Sequence, residues 1–296
     1  MQIECTYNSA YEKFLKEVVA YVINFCGAEL DLSGIEKIEL IDSGEFEYET
    51  DGKIYNEGRN LIVTSRLYDQ LEQLNIKDIE NTENFQLIVN TLYHEMGHAS
   101  DWKKMPRLYG LVEENATSAL GLASLFWTEY LAEKRSSEKG LVSYDSFCLD
   151  VAQSEWKVYK VDFCKVGTDN FFYLCKVLPY FMGRTIESEK REKYLGIMKN
   201  SLVKEFILEL DQEIKHLEKE YPFDAPEKLR DLYDIMNKFY KKFKKHLCHN
   251  GKRLYRESPE ALRMFSTKGF NKRKNAASTI SLVFRIYFLI ITWAGW

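Results

Sequence analysis

The chain has 296 residues, of which 45% are hydrophobic and 29% are charged, and its formal net charge is −4. This length allows one large domain or two modest ones, with ample chain for a buried core. The slightly acidic charge argues against a general nucleic-acid binder, so we expect no nucleic-acid partner.

The six cysteines are scattered, with no C-x-x-C pair and no short regular spacing: Cys5, Cys26, Cys148, Cys164, Cys175 and Cys248. This pattern is typical of free thiols in a reducing compartment rather than of a disulfide framework. The N-terminal segment has no basic region of the kind that opens a secretory signal, and charged residues interrupt its apolar ones. We therefore expect a cytoplasmic protein.

The N-terminal part of the chain predicts a helix followed by a small sheet. Apolar side chains at helical spacing predict a helix from about Tyr7 to Cys26. Residues 35–41 then resemble a strand, residues 45–50 alternate strictly, and residues 58–64 give a further strand candidate. Asp51-Gly52 supplies a two-residue hairpin signal. We therefore expect a small, mostly antiparallel sheet.

The most specific pattern of the chain is the H-E-x-x-H motif of residues 94–98. An apolar stripe precedes it and residues 81–84 offer N-cap side chains, so the motif is expected on a helix. Side chains four residues apart share one helix face, so His94 and His98 can reach one metal ion. Glu95 is then placed to act as general base on a water bound to that ion. The alternative is a surface helix with two incidental histidines.

A catalytic zinc usually takes three protein ligands and leaves the fourth position to water, so the two histidines need one more donor. The pattern with a third histidine six residues after His98 is absent, because that position is Lys104. Asp101, at the end of the same helix, is one candidate. The other candidates are glutamates of a second predicted helix, from about residue 111 to 134: Glu113, Glu114, Glu129 and Glu133.

Glu129 is the preferred third ligand. It is embedded among apolar residues, so its carboxylate is expected to be paired, metal-bound or turned to solvent. Glu113 and Glu114 stand near the helix start, where the helix dipole alone favours acidic residues. Glu133 follows Glu129 by one turn and could accept a hydrogen bond from the distal ring nitrogen of a liganding histidine. The alternative for Glu129 and Glu133 is an ordinary solvated or salt-bridged residue.

The H-E-x-x-H motif followed by Glu129-Tyr130-Leu131-Ala132-Glu133 resembles the gluzincin clan of zinc metallopeptidases, most of all the compact minigluzincins and the ImmA/IrrE-like peptidases. The resemblance covers residues 1–136 and is specific at these two short motifs. It implies an α+β, zincin-like domain in which His94, His98 and Glu129 hold Zn²⁺ and Glu95 is the catalytic base. Glu133 departs from the family pattern, because larger gluzincins carry aspartate there.

The second half of the chain predicts a mainly helical region without a second chemical motif. Helical spacing covers residues 154–166, 170–182, 189–220 and 227–248. A zinc peptidase also needs a donor for the oxyanion, and the sequence does not choose among Tyr173, Tyr180, Arg184 and His216. The group His246, Cys248 and His249 resembles a second metal cluster only loosely, because no matching pair lies nearby.

These patterns divide the chain into a zincin-like metallopeptidase domain (residues 1–136), a helical subdomain (137–275) and an apolar C-terminal tail (276–296). The tail is short for a membrane span and contains Arg285. We expect it to be a buried terminal segment. Membrane association through this tail, or a tail foreign to the ancestral domain, are the alternatives.

Together the motifs predict a zinc-dependent endopeptidase that hydrolyses a protein or peptide substrate, with Glu95 as general base. Zinc peptidases commonly hold their substrate as an extra strand on a sheet edge. Leu61–Thr64 is the candidate edge. The alternative is that the predicted strands only form part of the hydrophobic core. One alternative is a catalytically silent zincin-fold binding or regulatory module. Another is a zinc hydrolase acting on a non-peptide amide. No pattern indicates an oligomeric state.

Overall fold

The structure is a computed structural model. It describes the following residues: 1–26, 29–45, 51–69, 71, 74–115, 118–153 and 168–249. Within them the chain is α+β, as the sequence predicts. It forms two compact units. Of the described residues, the first contains those of 1–106 and 135–143, and the second contains those of 107–134, 144–153 and 168–249. The predicted domain boundaries at residues 136 and 275 stay predictions.

The first unit contains a four-stranded sheet with helices packed against it. Its elements are β1 (Gln2–Cys5), α1 (Ala10–Cys26), β2 (Lys37–Ile41), β3 (Gly52–Tyr55), β4 (Asn60–Thr64), α2 (Ile76–Ile79) and α3 (Glu83–Lys104). The strand order is β1-β2-β4-β3, with β2 parallel to both β1 and β4 and with β3 antiparallel to β4. The helix predicted from about Tyr7 to Cys26 is confirmed as α1.

The sheet is mixed, so the prediction of a mostly antiparallel sheet is wrong. Two of its three pairings are parallel. The physical reason is α1, which crosses between β1 and β2 and so allows these strands to run in the same direction. β1 itself has only four residues, too few to show a period of two in the sequence.

The sheet edge also differs from the prediction, whereas the predicted strand of residues 45–50, the first arm of the predicted hairpin, lies outside the described residues except for its first residue. Gly52 is the first residue of β3, and the chain reverses after β3 at Asn56, Glu57 and Gly58, which all have positive φ (54°, 58° and 78°). Leu61–Thr64 lies in β4, which has β2 on one side and β3 on the other. It is therefore not an edge, and among the described residues β3 is the outer strand on that side of the sheet.

The core of the first unit lies between the sheet, α1 and α3. Strand side chains alternate between buried and half-buried along β4, so one face of the sheet is covered by the helices. The fully buried side chains include Phe14, Val18 and Val22 of α1, Leu61 and Val63 of β4, and Phe85, Ile88, Val89 and Leu92 of α3. This core holds α3 in place, because one face of that helix is apolar along its first three turns.

The second unit is helical in its described residues. Its elements are α4 (Pro106–Asn115), α5 (Ala119–Glu138, with its last turn counted in the first unit), α6 (described over residues 145–153), α7 (Thr168–Arg184), α8 (Ser188–Ile197), α9 (Ser201–Glu220) and α10 (Arg230–His249). The predicted mainly helical region is confirmed for these residues, although the predicted helices over 111–134 and 189–220 are each two helices. The predicted helix over 154–166 and the tail 276–296 lie outside the described residues.

α9 and α10 pack along an aromatic stripe. The rings of Phe206 and Phe239 stack with centroids 4.7 Å apart, and Phe243 meets Phe206 edge-on. Lys238 of α10 reaches Glu209 of α9 at 2.5 Å beside this stripe.

Among the described residues, no helix is both long enough and apolar enough to cross a membrane.

Candidate metal centre

The H-E-x-x-H motif lies on α3, as predicted. The helix starts where the Thr82 hydroxyl accepts a hydrogen bond from the Phe85 amide at 3.3 Å, which satisfies one of the unpaired amides of the first turn. From there the helix runs over the apolar core, and both motif histidines lie on its buried side with 7% of their surface exposed. The core-facing residues of α3 therefore fix the direction in which His94 and His98 point.

The two imidazoles face each other through the same ring atom. Nε2 of His94 and Nε2 of His98 are 3.1 Å apart, and the ring planes meet at 81°. Two zinc–nitrogen bonds of about 2.05 Å that meet near the tetrahedral angle would separate the nitrogens by about 3.3 Å. The observed distance is close to that value. When both Nε2 atoms bind an ion, each ring must carry its proton on Nδ1.

Glu129 of α5, the predicted third ligand, is the third residue near the two histidines. One ligand atom from each of His94, His98 and Glu129 lies within 4.8 Å of the others, and no other such group of three or more His, Cys, Asp or Glu side chains stands out among the described residues. Glu129 is half-buried, whereas the two histidines are buried. Two neutral imidazoles and one carboxylate are the donor set of a catalytic zinc site, so these residues fit the ion that the sequence predicts.

Asp101, the alternative third ligand, is the partner of an arginine instead. Its Oδ2 accepts a hydrogen bond from Arg135 Nη2 at 2.6 Å, and its side chain has no exposed surface. A Cβ added at Gly97 would collide with Arg135 Nη1, so the guanidinium crosses α3 over the one motif residue that has no side chain. Asp101 thus anchors the end of α5 to α3, six residues beyond Glu129. The remaining candidates, Glu113 and Glu114, are exposed on α4.

Glu95 lies beside the outer strand of the sheet. A Cβ added at Gly52 would be 2.8 Å from Glu95 Cγ and 3.3 Å from its Oε1, so the backbone of β3 touches this side chain. Glu95 itself is half-buried. A group at the edge of β3 would therefore be close to the carboxylate that the sequence assigns as the base.

A row of polar side chains on α7 meets the two glutamates of α5. Tyr180 Oη donates a hydrogen bond to Glu129 Oε2 at 2.7 Å. Four residues later, Arg184 Nε donates to Glu133 Oε1, and its guanidinium lies on the rings of Tyr144 and Phe147 at 4.2 Å from each. Glu133 is 2% exposed, so this ion pair is buried.

The contact with Arg184 bears on the predicted role of Glu133. A carboxylate has two oxygens, so Glu133 can pair with Arg184 and also accept the predicted hydrogen bond from a histidine, which stays a prediction.

One turn before Tyr180, burial lowers the pKa of Lys176 to about 8, and the nearby charge of Glu129 opposes this shift. α7 thus directs the Tyr180 hydroxyl at Glu129 and places the charge of Lys176 near it.

Two of the predicted oxyanion donors, Tyr180 and Arg184, are therefore bonded to the glutamates of α5. A third, His216, is largely exposed and lies 3.7 Å from Glu220 on its own helix. The side chains of Tyr173, His246, Cys248 and His249 lie outside the described residues. Arg135 is not among the predicted site residues. The signal for it in the sequence is Gly97, four residues before Asp101 on the same face of the motif helix.

Comparison with models of protein families, with curated proteins and with solved structures finds no match to this chain. The gluzincin resemblance therefore depends on the two short motifs.

Proposed function

We propose that this chain is a zinc-dependent endopeptidase of the gluzincin type. His94, His98 and Glu129 hold Zn²⁺ and Glu95 is the catalytic base. The observation that carries the proposal is the pair of Nε2 atoms 3.1 Å apart with a carboxylate from a second helix beside them. A zinc ion bound there supplies a Lewis acid that polarises the substrate carbonyl and makes water easier to deprotonate.

Each residue has a defined task in this reaction. His94 and His98 bind through Nε2 and keep their protons on Nδ1, and Glu129 adds the negative charge that makes the site selective for a cation. The Glu95 carboxylate takes a proton from the attacking water as the new C–O bond forms. The same carboxyl group then gives this proton to the amine nitrogen as the peptide C–N bond breaks.

The position of β3 suggests how a peptide would reach Glu95. An extended peptide can add to a sheet as a further strand and use its main chain for binding. β3 is the outer strand among the described residues, and the contact between Gly52 and Glu95 brings that strand next to the base. We infer that the substrate strand lies along β3 rather than along Leu61–Thr64, which is enclosed between two strands.

The experiment that tests the proposal combines metal analysis with cleavage. Purified protein should contain about one zinc per chain, and His98→Ala should lose it. Glu95→Gln should keep the zinc and lose cleavage of a random peptide library. Glu114→Gln, on an exposed face of α4, is the matched control and should keep both.

Two results would contradict the enzyme assignment. Cleavage by Glu95→Gln at the wild-type rate would remove Glu95 from the mechanism. Stoichiometric zinc in the wild type without cleavage of any peptide would favour the alternative, a catalytically silent zincin-fold module that binds one partner.

A further inference from the structure

We propose that Tyr180 is a positioning residue for the metal ligand Glu129, holding one carboxylate oxygen so that the other is presented to the ion. This inference rests on the proposed zinc site. The sequence makes Tyr180 one of four candidates for the oxyanion donor. The positioning role is a different task.

The hydrogen bond itself is short and charge-assisted. Tyr180 Oη lies 2.7 Å from Glu129 Oε2, the distance expected when a hydroxyl donates to an ionised carboxylate. A phenol has one hydrogen to donate, and here that hydrogen is directed at Oε2. Tyr180 is therefore bonded to the ligand, where an oxyanion donor would need to direct its hydrogen at the substrate.

Neighbouring residues hold the helix that carries Tyr180 against α5. A Cβ added at Gly183 would be 2.8 Å from the Lys134 amide nitrogen and 2.9 Å from Glu133 Cβ, so the backbone of α7 approaches α5 closely there. One residue further, Arg184 pairs with the buried Glu133. These two contacts, about one turn from Tyr180, hold α7 against α5 beside the pair of Tyr180 and Glu129.

The chemical consequence concerns how Glu129 binds. A carboxylate can give a metal one oxygen or both, and a hydrogen bond on Oε2 favours binding through Oε1 alone. Holding the carboxylate in one orientation also lowers the entropy that it loses when the ion binds. Removal of such an outer hydrogen bond typically weakens metal binding by about 10- to 100-fold.

The test is Tyr180→Phe, which removes the hydroxyl and keeps the ring. Zinc affinity is measured on zinc-free protein by competition with a chromophoric chelator, and we expect it to fall about 10- to 100-fold. The visible spectrum of the Co²⁺-substituted protein should change as well, because the geometry at the ion changes when Glu129 is released. The thermal midpoint of the zinc-free variant reports whether the fold is kept.

Tyr194→Phe is the matched control. Tyr194 Oη also donates to a carboxylate, Asp145 Oδ1, at 2.6 Å, and Asp145 is not among the proposed ligands. Loss of that hydroxyl should lower stability without changing zinc affinity or the Co²⁺ spectrum. If both variants weakened zinc binding equally, a general loss of stability would explain the result and the positioning role would be rejected.

The possible outcomes separate this inference from the proposed function. Unchanged zinc affinity and an unchanged Co²⁺ spectrum in Tyr180→Phe overturn the positioning role, even if turnover falls, because the hydroxyl would then act on the substrate. A weakened affinity supports it whether or not the wild type cleaves peptides. A wild type that binds no zinc overturns both proposals.

Discussion

The ion pair between Arg135 and Asp101 offers the sharpest test of how the site is held together. Replacing Arg135 by methionine keeps the apolar stem and removes the charge. Asp101 has no exposed surface, and its bond to Arg135 is 2.6 Å long. Loss of one partner of such a buried pair costs about 3–5 kcal/mol, because the remaining charge stays buried. Lys104 Nζ lies 3.7 Å from Asp101 Oδ1 and offsets part of this cost. We therefore expect Arg135→Met to lower the free energy of unfolding by about 3 kcal/mol.

A double-mutant cycle separates the pair from the packing of its members. Asp101→Asn removes the buried charge, so the double variant Asp101→Asn/Arg135→Met should be more stable than Arg135→Met alone. We expect a coupling free energy of about 2–3 kcal/mol. The pair should also matter for metal binding, since Glu129 precedes Arg135 by six residues, or about 9 Å along α5. Zinc affinity should therefore fall in Arg135→Met.

The assay is urea unfolding of the zinc-free protein, followed by circular dichroism. Lys103→Met is the control, because Lys103 lies on the same helix and pairs with Asp31 at 2.9 Å, but on the surface. Exposed pairs contribute about 0–1 kcal/mol. If Arg135→Met lowered the free energy of unfolding by no more than Lys103→Met, the pair of Arg135 and Asp101 would not stabilise the fold. The proposed anchoring of α5 to α3 by this pair would then be refuted.

Two further predictions concern the surroundings of α3. Gly97→Ala introduces a methyl group that collides with the Arg135 guanidinium, so it should destabilise the protein by about 1–3 kcal/mol in urea unfolding. Gly110→Ala, where the new methyl meets nothing within 4 Å, should be neutral or stabilising, and equal losses in both variants would contradict the proposed crossing. Hydrogen bonds from Lys103 and from Ser33 lower the pKa of Asp31 from 3.8 to about 2. Its stabilising contribution is therefore present above about pH 4 and lost as the pH falls toward 2, so the difference in thermal midpoint between wild type and Asp31→Asn should shrink over that range. A constant difference would show that the ionised carboxylate is not responsible.

The helix that bears the motif could be predicted because its signals are local. Thr82 caps it, an apolar stripe defines its buried face, and the four-residue spacing of His94 and His98 places both on one side. Glu129 could be singled out for a related reason, since a carboxylate among apolar neighbours needs a partner. Helical geometry translates such patterns directly into neighbouring side chains.

The sheet could not be predicted in the same way, because strand pairing is a long-range property. Alternation in residues 58–64 indicates a strand and says nothing about which strands flank it, so the placement of Leu61–Thr64 at an edge was wrong. The reversal that joins β3 to β4 occurs at Asn56 to Gly58, where the sequence predicts no turn. Three successive residues there have positive φ, and only the last is glycine, so composition alone did not mark the turn.

The contacts that complete the site are also long-range. Asp101 meets Arg135 across 34 residues of sequence, and Tyr180 meets Glu129 across 51. A pattern was present in the four-residue spacing of Lys176, Tyr180 and Arg184, which predicts one polar stripe on α7. The element that this stripe faces depends on the packing of α7 and α5, which no local pattern specifies.

The proposed role of Glu95 as the base of a zinc peptidase can be tested by comparing cleavage products. Wild-type protein and Glu95→Gln, each shown to carry about one zinc, are incubated with the same proteome-derived peptides, and the new N-termini are identified by mass spectrometry. We expect a defined set of new termini with the wild type and none with Glu95→Gln. The same termini from both proteins, or none from either, would contradict it.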